Sequence, residues 1–243
     1  LLAQYLGFIS GLGLIWFHQR KQFHLWSFSK MLDRASLKAY FNVNRDIFIR
    51  TLLLISSLSF FTAASAKFGD SLLAVNTLLF QFFLFFSYFI DGFANAAEAL
   101  VGKHIGYGEK ENVKTVIRQL LRWGFFISLP FSLAFFFGGK YFMYILTDIP
   151  KLIEQAHPYF IWVSLIPVIS FAAFIYDGIY VGATQAKAMR NSMFIASIIL
   201  YIPLFYLLRI PFGNHGLWMA FLIFLGARGL LLGLWTKKYI YTS

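Results

Sequence analysis

The 243-residue chain contains no cysteine, which excludes disulfides, thiolate metal sites, iron–sulfur clusters and thiol catalysis. Charge is scarce as well: 13% of the residues are charged and only 10 of them are acidic, against about 25% charged residues in a soluble domain. The sequence has no Walker loop, no GxGxxG followed by an acidic ribose contact, no GxSxG elbow and no HExxH pair, so the commonest nucleotide-binding and hydrolytic chemistries have no anchor. Its 5 histidines, His18, His24, His104, His157 and His215, are scattered over connecting stretches. Histidines so dispersed make poor metal ligands, and none supplies the base that an intramembrane acyltransferase would need. A metal site, an organic cofactor and an enzyme active site are therefore not expected.

What fills the chain instead is apolar. Hydrophobic residues make up 59% and aromatic residues 21%, too much for one water-facing surface. A helix needs about 20 apolar residues to cross a hydrocarbon core of about 30 Å. Seven segments qualify or nearly so: Leu1 to Phe17, Ile47 to Ala66, Leu72 to Val101, Leu120 to Leu146, Pro158 to Ala183, Met193 to Leu208 and Leu217 to Trp235. The chain is read as an all-α, multi-pass membrane protein whose first partner is the lipid bilayer. It opens at Leu1 directly into the first apolar run, without the basic region and cleavage site of a signal peptide. That run is expected to be a truncated span of something longer.

The net charge of +11 raises nucleic acid as a partner, but the basic residues lie between apolar runs and form no single face, so none is expected. They set orientation instead. With residues 18–50 on the cytoplasmic side, that side holds Arg20, Lys21, Lys30, Arg34, Lys38, Arg45, Arg50, Lys103, Lys110, Lys114, Arg118, Arg122, Lys187, Arg190, Lys237 and Lys238. Only Lys67, Lys140, Lys151 and Arg209 fall outside, and Arg228 is left within a span. The C-terminus is then cytoplasmic. Lys30, Arg34 and Lys38 recur at a spacing of four, the pattern of a surface-lying amphipathic helix or of an ordinary solvated linker helix. Either separates the first span from the other six. The expected organisation is residues 1–17 as one span, 18–46 as a linker and 47–243 as a six-helix unit. Ser56, Ser57, Ser59, Thr62, Ala63, Ala64 and Ser65 mark a close helix contact. Pro130, Pro167 and Pro203 permit kinks.

Four ionisable side chains lie well inside apolar segments: Asp91, Glu98, Asp177 and Arg228. Asp or Arg at a helix centre costs about 2.5–3.5 kcal/mol on insertion scales, so such groups face a protein interior or a wet cavity. Counted back from the basic residue at each cytoplasmic exit, Asp91 precedes Lys103 by 12, Asp177 precedes Lys187 by 10 and Arg228 precedes Lys237 by 9. At the helical rise these depths agree within about 5 Å. Asp91, Asn95 and Glu98 share one helical stripe, and Asn76 and Gln81 are expected to be buried on the same helix. Tyr176 and Tyr180 flank Asp177. Three carboxylates against one guanidinium would attract a cation or hold a proton. The competing structural reading is a buried Arg228–Asp pair that only fixes helix register.

Three blocks carry a family resemblance: "NVNRDIFIRTL", "FIDGFANAAEALVGKHIGYG" and "YDGIYVGATQAKAMRNSM". With their spacing, they resemble the DNA-damage-inducible F branch of the multidrug and toxic compound extrusion family. The resemblance implies a twelve-span fold of two pseudosymmetric lobes, in which residues 1–17 are the sixth span and residues 47–243 the C-terminal lobe. It implies efflux of small organic, usually cationic compounds in exchange for H+ or Na+ across the bacterial inner membrane, with the N-terminal lobe as obligate partner. It implies no further cofactor, and matches Asp91, Glu98 and Asp177 to acidic positions of the branch. A flippase for a lipid-linked saccharide shares the fold and would need a larger, more basic cavity. A non-transporting truncated half is the third reading.

Overall fold

The computed structural model describes residues 2–19 and 33–241, all helical apart from short turns. Helix α1 spans Leu2–Gln19, and α2 runs unbroken over Arg34–Ala66. The expected linker thus passes into the second span without a break where it is described, while Lys30 lies outside the described residues. Helices α3 (Asp70–Gly106) and α4 (Lys110–Leu146) follow. A short α5 (Pro150–Ala156) leads through a 3-10 turn into α6 (Phe160–Gly182). Helix α7 (Ala186–Phe194) continues through a π-helical stretch, Ile195–Tyr201, into α8 (Ile202–Phe212), and α9 (Asn214–Thr236) completes the lobe.

Six of the seven expected spans are matched by helical stretches long and apolar enough to cross a membrane: Tyr40–Phe68, Asp70–Gly106, Glu111–Leu146, Pro150–Gly182, Ala186–Phe212 and Asn214–Tyr241. The remaining apolar helix, Gln4–Phe17, is shorter. The protein is a multi-pass membrane protein. Two compact units are distinguished, Leu1–Asn42 and Val43–Ser243, and the candidate site residues expected from the sequence all lie in the second.

Glycine sets how close its helices come. A methyl group built on Gly178 would lie 2.0 Å from the Ala94 carbonyl oxygen, and one on Gly182 would lie 2.4 Å from that of Glu98. The pair is spaced by four, so both face α3 and let the α6 backbone touch it, the small-xxx-small device of membrane helices. Gly229 does the same for α9 on α6, where a methyl would lie 2.9 Å from the Ala173 amide nitrogen.

Around these crossings the side chains form two cores. One is aromatic, built on Phe61, Phe83, Phe86, Trp218, Phe221 and Phe224, with the Phe221 ring 5.0 Å from Phe61 and 5.3 Å from Phe83. The other is smaller and mostly aliphatic, with Ala97, Val101, Ile117, Ile175, Ile179 and Leu232. Between lipid-facing helices apolar burial gives little drive, so dispersion in these close contacts does the holding.

The prolines behave differently from one another. Pro130 and Pro167 sit within continuous helices. Pro203 follows directly on the π-helical stretch, whose wider turn accommodates a residue that lacks an N–H and crowds the preceding turn.

Candidate functional site

A cavity of about 320 Å³ opens on the face formed by α2, α3 and α6, with Arg228 of α9 at its back. Asp91, Asn95 and Glu98 line it from α3, Asp177 from α6 and Arg50 from α2. Local sequence explains the placement. Asp91, Asn95 and Glu98 recur at the spacing of one helical stripe, and Asp177 precedes Gly178, whose contact with Ala94 clamps its helix against that stripe.

Asp177 is the hub. Its Oδ2 accepts a hydrogen bond from Arg228 Nη2 at 2.6 Å and another from Arg50 Nη2. Arg228 is 2% exposed, and its guanidinium also lies 5.6 Å from the Phe224 ring and 5.9 Å from that of Phe174. Ring faces give a buried cation an attraction that water would otherwise supply. One carboxylate therefore ties α2, α6 and α9 together and is compensated twice over.

Asp91 and Glu98 differ. Among the described residues neither makes a hydrogen bond or ion pair through its carboxylate, and both are exposed to the open face. The lining groups thus carry three carboxylates and two guanidiniums, a formal excess of one negative charge. The two free carboxylates are the groups able to take a cation.

One turn toward the α2 N-terminus, Arg190 Nη1 of α7 donates to Asp46 Oδ1 at 2.6 Å, and Arg190 Nε and Nη2 both reach Asn191 Oδ1. Asp46 is buried. With Arg50 a turn further on, two ion pairs tie the middle of α2 to α6 and α7.

Arg50 is the residue that sequence reasoning missed. It stands at the edge of an apolar run and was counted with the cytoplasmic cations, leaving Arg228 as the single basic residue in a span. The structure instead brings Arg50 into the cavity, where it pairs with Asp177. The usable signal was Asp46 and Arg50 at a spacing of four, one helical face carrying both charges.

Four other expected members lie elsewhere. Asn76 is buried, but in a separate network near the opposite end of the lobe. Its Nδ2 donates to Ser65 Oγ at 3.0 Å and to Asn214 Oδ1 at 2.6 Å, while its Oδ1 accepts from Trp218 Nε1 at 2.9 Å. Gln81 is exposed and borders an aromatic groove with Phe82, Phe85 and Phe142. Tyr180 is fully buried and donates to the Leu232 carbonyl at 2.7 Å. Tyr176 borders a groove on the other side of α6. Gln81, Tyr176 and Tyr180 are displaced from the cavity by their position around the helix, since adjacent residues are turned by about 100°, and Asn76 by its depth along α3.

The MatE family model matches residues 47–207. The chain belongs to the MatE family. It is 34% identical over 208 residues to DNA damage-inducible protein F of Escherichia coli (strain K12), covering 85% of this chain and 45% of that protein. A crystal structure of a MATE mutant superposes with a TM-score of 0.74 at 18% identity, over 84% of this chain and 46% of that one. A structure described as an outward-facing multidrug resistance MATE family transporter of the MOP superfamily gives a TM-score of 0.71, also at 18% identity, over 84% of this chain and 46% of that one. At that identity the structural likeness establishes the MatE fold. The chain spans about half the length of the proteins it matches.

Proposed function

We propose that this chain is the C-terminal lobe of a secondary active multidrug exporter. In this reading it works together with an N-terminal lobe, exchanging small organic cations for H+ or Na+ across the bacterial inner membrane with its C-terminus in the cytoplasm. Membership of the MatE family supports efflux. The observation that carries the exchange site is the pair of unpartnered carboxylates, Asp91 and Glu98, in a membrane-depth cavity whose third carboxylate, Asp177, is held by Arg50 and Arg228.

Exchange follows from competition. A proton or Na+ on Asp91 or Glu98 cancels the charge that holds a cationic cargo, so the two occupants exclude each other. Repeats that rock about a site near the midplane then carry them in opposite directions, provided that each occupant favours a different conformation. Asp177 has another part: its two guanidiniums hold the wall of the cavity, and the remaining excess charge stays negative. That polarity favours a cationic cargo over the acidic headgroup of a lipid-linked saccharide.

The test uses the full-length protein in inverted vesicles and a fluorescent organic cation. Asp91→Asn is expected to lower coupled efflux at least tenfold while the protein remains folded. Asp177→Asn leaves two guanidiniums uncompensated in the membrane and is expected to lower both efflux and stability, the latter by about 3–5 kcal/mol. Unchanged efflux in both variants refutes the assignment, and driving transport with a pH or a Na+ gradient in turn identifies the coupling ion.

A further inference from the structure

The outer side of α6, away from the cavity, carries a second continuous feature. Arg118 and Arg122 stand one turn apart on α4, both exposed, and among the described residues neither has a carboxylate within salt-bridge reach. Lys114, one turn further back, differs: its ammonium bonds Glu111 Oε1 at 2.7 Å. The two arginines head a groove of about 610 Å³ that continues along α4 over Leu121, Phe125 and Phe126.

Leu121 is shared with a trough of about 540 Å³ between α6 and α9. Gly226, Gly229 and Gly233 line it where α9 touches α6, a methyl on Gly226 lying 3.1 Å from the Ile169 side chain and one on Gly233 3.2 Å from the Tyr176 hydroxyl, so the trough is the shallow furrow that these small residues leave along the contact. The Phe125 and Phe171 rings, 5.8 Å apart, join the α4 groove to α6. The trough is almost wholly apolar and runs from the level of the arginines toward the middle of the spans.

The geometry points to a binding site for one anionic phospholipid, with its phosphate between Arg118 and Arg122 and an acyl chain in the glycine-walled trough. Two planar guanidiniums present paired donors that match phosphate oxygens. An uncompensated pair at the end of a membrane helix draws negative charge, each arginine contributing about 1 kcal/mol near an anionic surface. An apolar trough at membrane depth takes hydrocarbon. A phospholipid carries both an anionic headgroup and a hydrocarbon chain, whereas an acidic peptide would leave its backbone unsatisfied in the trough. Lipid held here would brace α4 against α6 and α9, on the side of α6 opposite the exchange cavity.

The test uses the full-length protein in detergent, with retention of dioleoylphosphatidylglycerol measured by native mass spectrometry. Arg118→Gln with Arg122→Gln is expected to weaken retention about thirty-fold, equivalent to about 2 kcal/mol at about 1.4 kcal/mol per tenfold. Each single variant should show about fivefold, which serves if the double variant fails to fold. Lys114→Gln should leave retention unchanged, because that lysine is already paired. Dioleoylphosphatidylcholine and the short-chain dihexanoylphosphatidylglycerol should both be held weakly, and inorganic phosphate should not displace the long-chain lipid. Wild-type retention in the arginine variants overturns the site. So does equal retention of phosphatidylcholine, an equal loss in Lys114→Gln, or displacement by inorganic phosphate, which would show a plain annular shell, diffuse surface charge or a free-anion site respectively.

Discussion

Replacing Gly178 by Ala adds one methyl group at the crossing that positions Asp177, and the structure fixes what that methyl meets. Its nearest neighbours are the carbonyl oxygen, carbonyl carbon and Cα of Ala94 at 2.0, 2.7 and 2.9 Å, all backbone atoms that cannot rotate away. Ordinary contact begins at 3.4 Å, which leaves α3 and α6 to separate by about 1.4 Å or tilt by an equivalent amount. Overpacking of this kind costs about 1–3 kcal/mol, offset by about 1 kcal/mol from the better helix propensity of Ala. A net loss of about 0–2 kcal/mol is expected. Gly92→Ala is the matched control: it lies on α3, and nothing is within 4 Å of its added methyl, so propensity alone acts and the protein should be as stable or slightly more so. The assay is reversible unfolding of the full-length protein in bilayers, read by steric trapping, alongside cation efflux. If Gly178→Ala and Gly92→Ala differ by less than about 0.5 kcal/mol, the contact is softer than the backbone geometry implies. The argument that glycine spacing builds the cavity then fails.

Asn76→Leu removes the acceptor of Trp218 Nε1 and the partners of Ser65 and Asn214. At about 1–3 kcal/mol per orphaned buried group, stability should fall by about 3 kcal/mol or more, while efflux per folded molecule stays within about twofold because Asn76 lies outside the cavity; lost efflux at unchanged stability would place it in the transport path. Outside the spans, hydrogen bonds from Asn112 and then from His104 hold the Glu109 carboxyl below the usual glutamate range. A depressed carboxyl stabilises its turn above the unfolded value of about 4.3 and loses that contribution as pH falls through the folded value. In carbon NMR titrations, Glu109 should titrate low in the native protein and move up in Asn112→Ala; an ordinary value in both would remove the contact from solution.

The fold was legible because bilayer thickness sets helix length, and length can be counted. Depth could be counted too: offsets of 10 and 9 residues from the basic exits put Asp177 and Arg228 at one level, and they meet at 2.6 Å. Angle was less legible. Asn76 and Gln81 both border a small pocket with Phe61 and Ser65, so they share a site with each other and not with Asp91. Tyr176 borders Asp177 in sequence and for that reason points away from what Asp177 faces. Residues spaced by three or four are neighbours on the helix surface, which places Asp91, Asn95 and Glu98 together; Tyr180 has that spacing from Asp177 and still turns into the core, where its hydroxyl donates to the Leu232 carbonyl.

Charge at the site was legible in sign and not in arrangement. Three carboxylates and one guanidinium read from the spans leave a negative excess, and the addition of Arg50 halves it without reversing it. What the arrangement changes is which carboxylate is available. Both guanidiniums converge on Asp177, so its attraction for a further cation is already spent on cations that are covalently part of the lobe. The excess charge is thereby assigned to Asp91 and Glu98, seven residues apart on one stripe of α3 and open to the face of the lobe. Any conformational change that pulls both α2 and α9 away from α6 would uncover the Asp177 charge and add it to theirs. On the proposed exchange reading, the affinity of the cavity for a cation is thus coupled to the packing of three helices through one side chain.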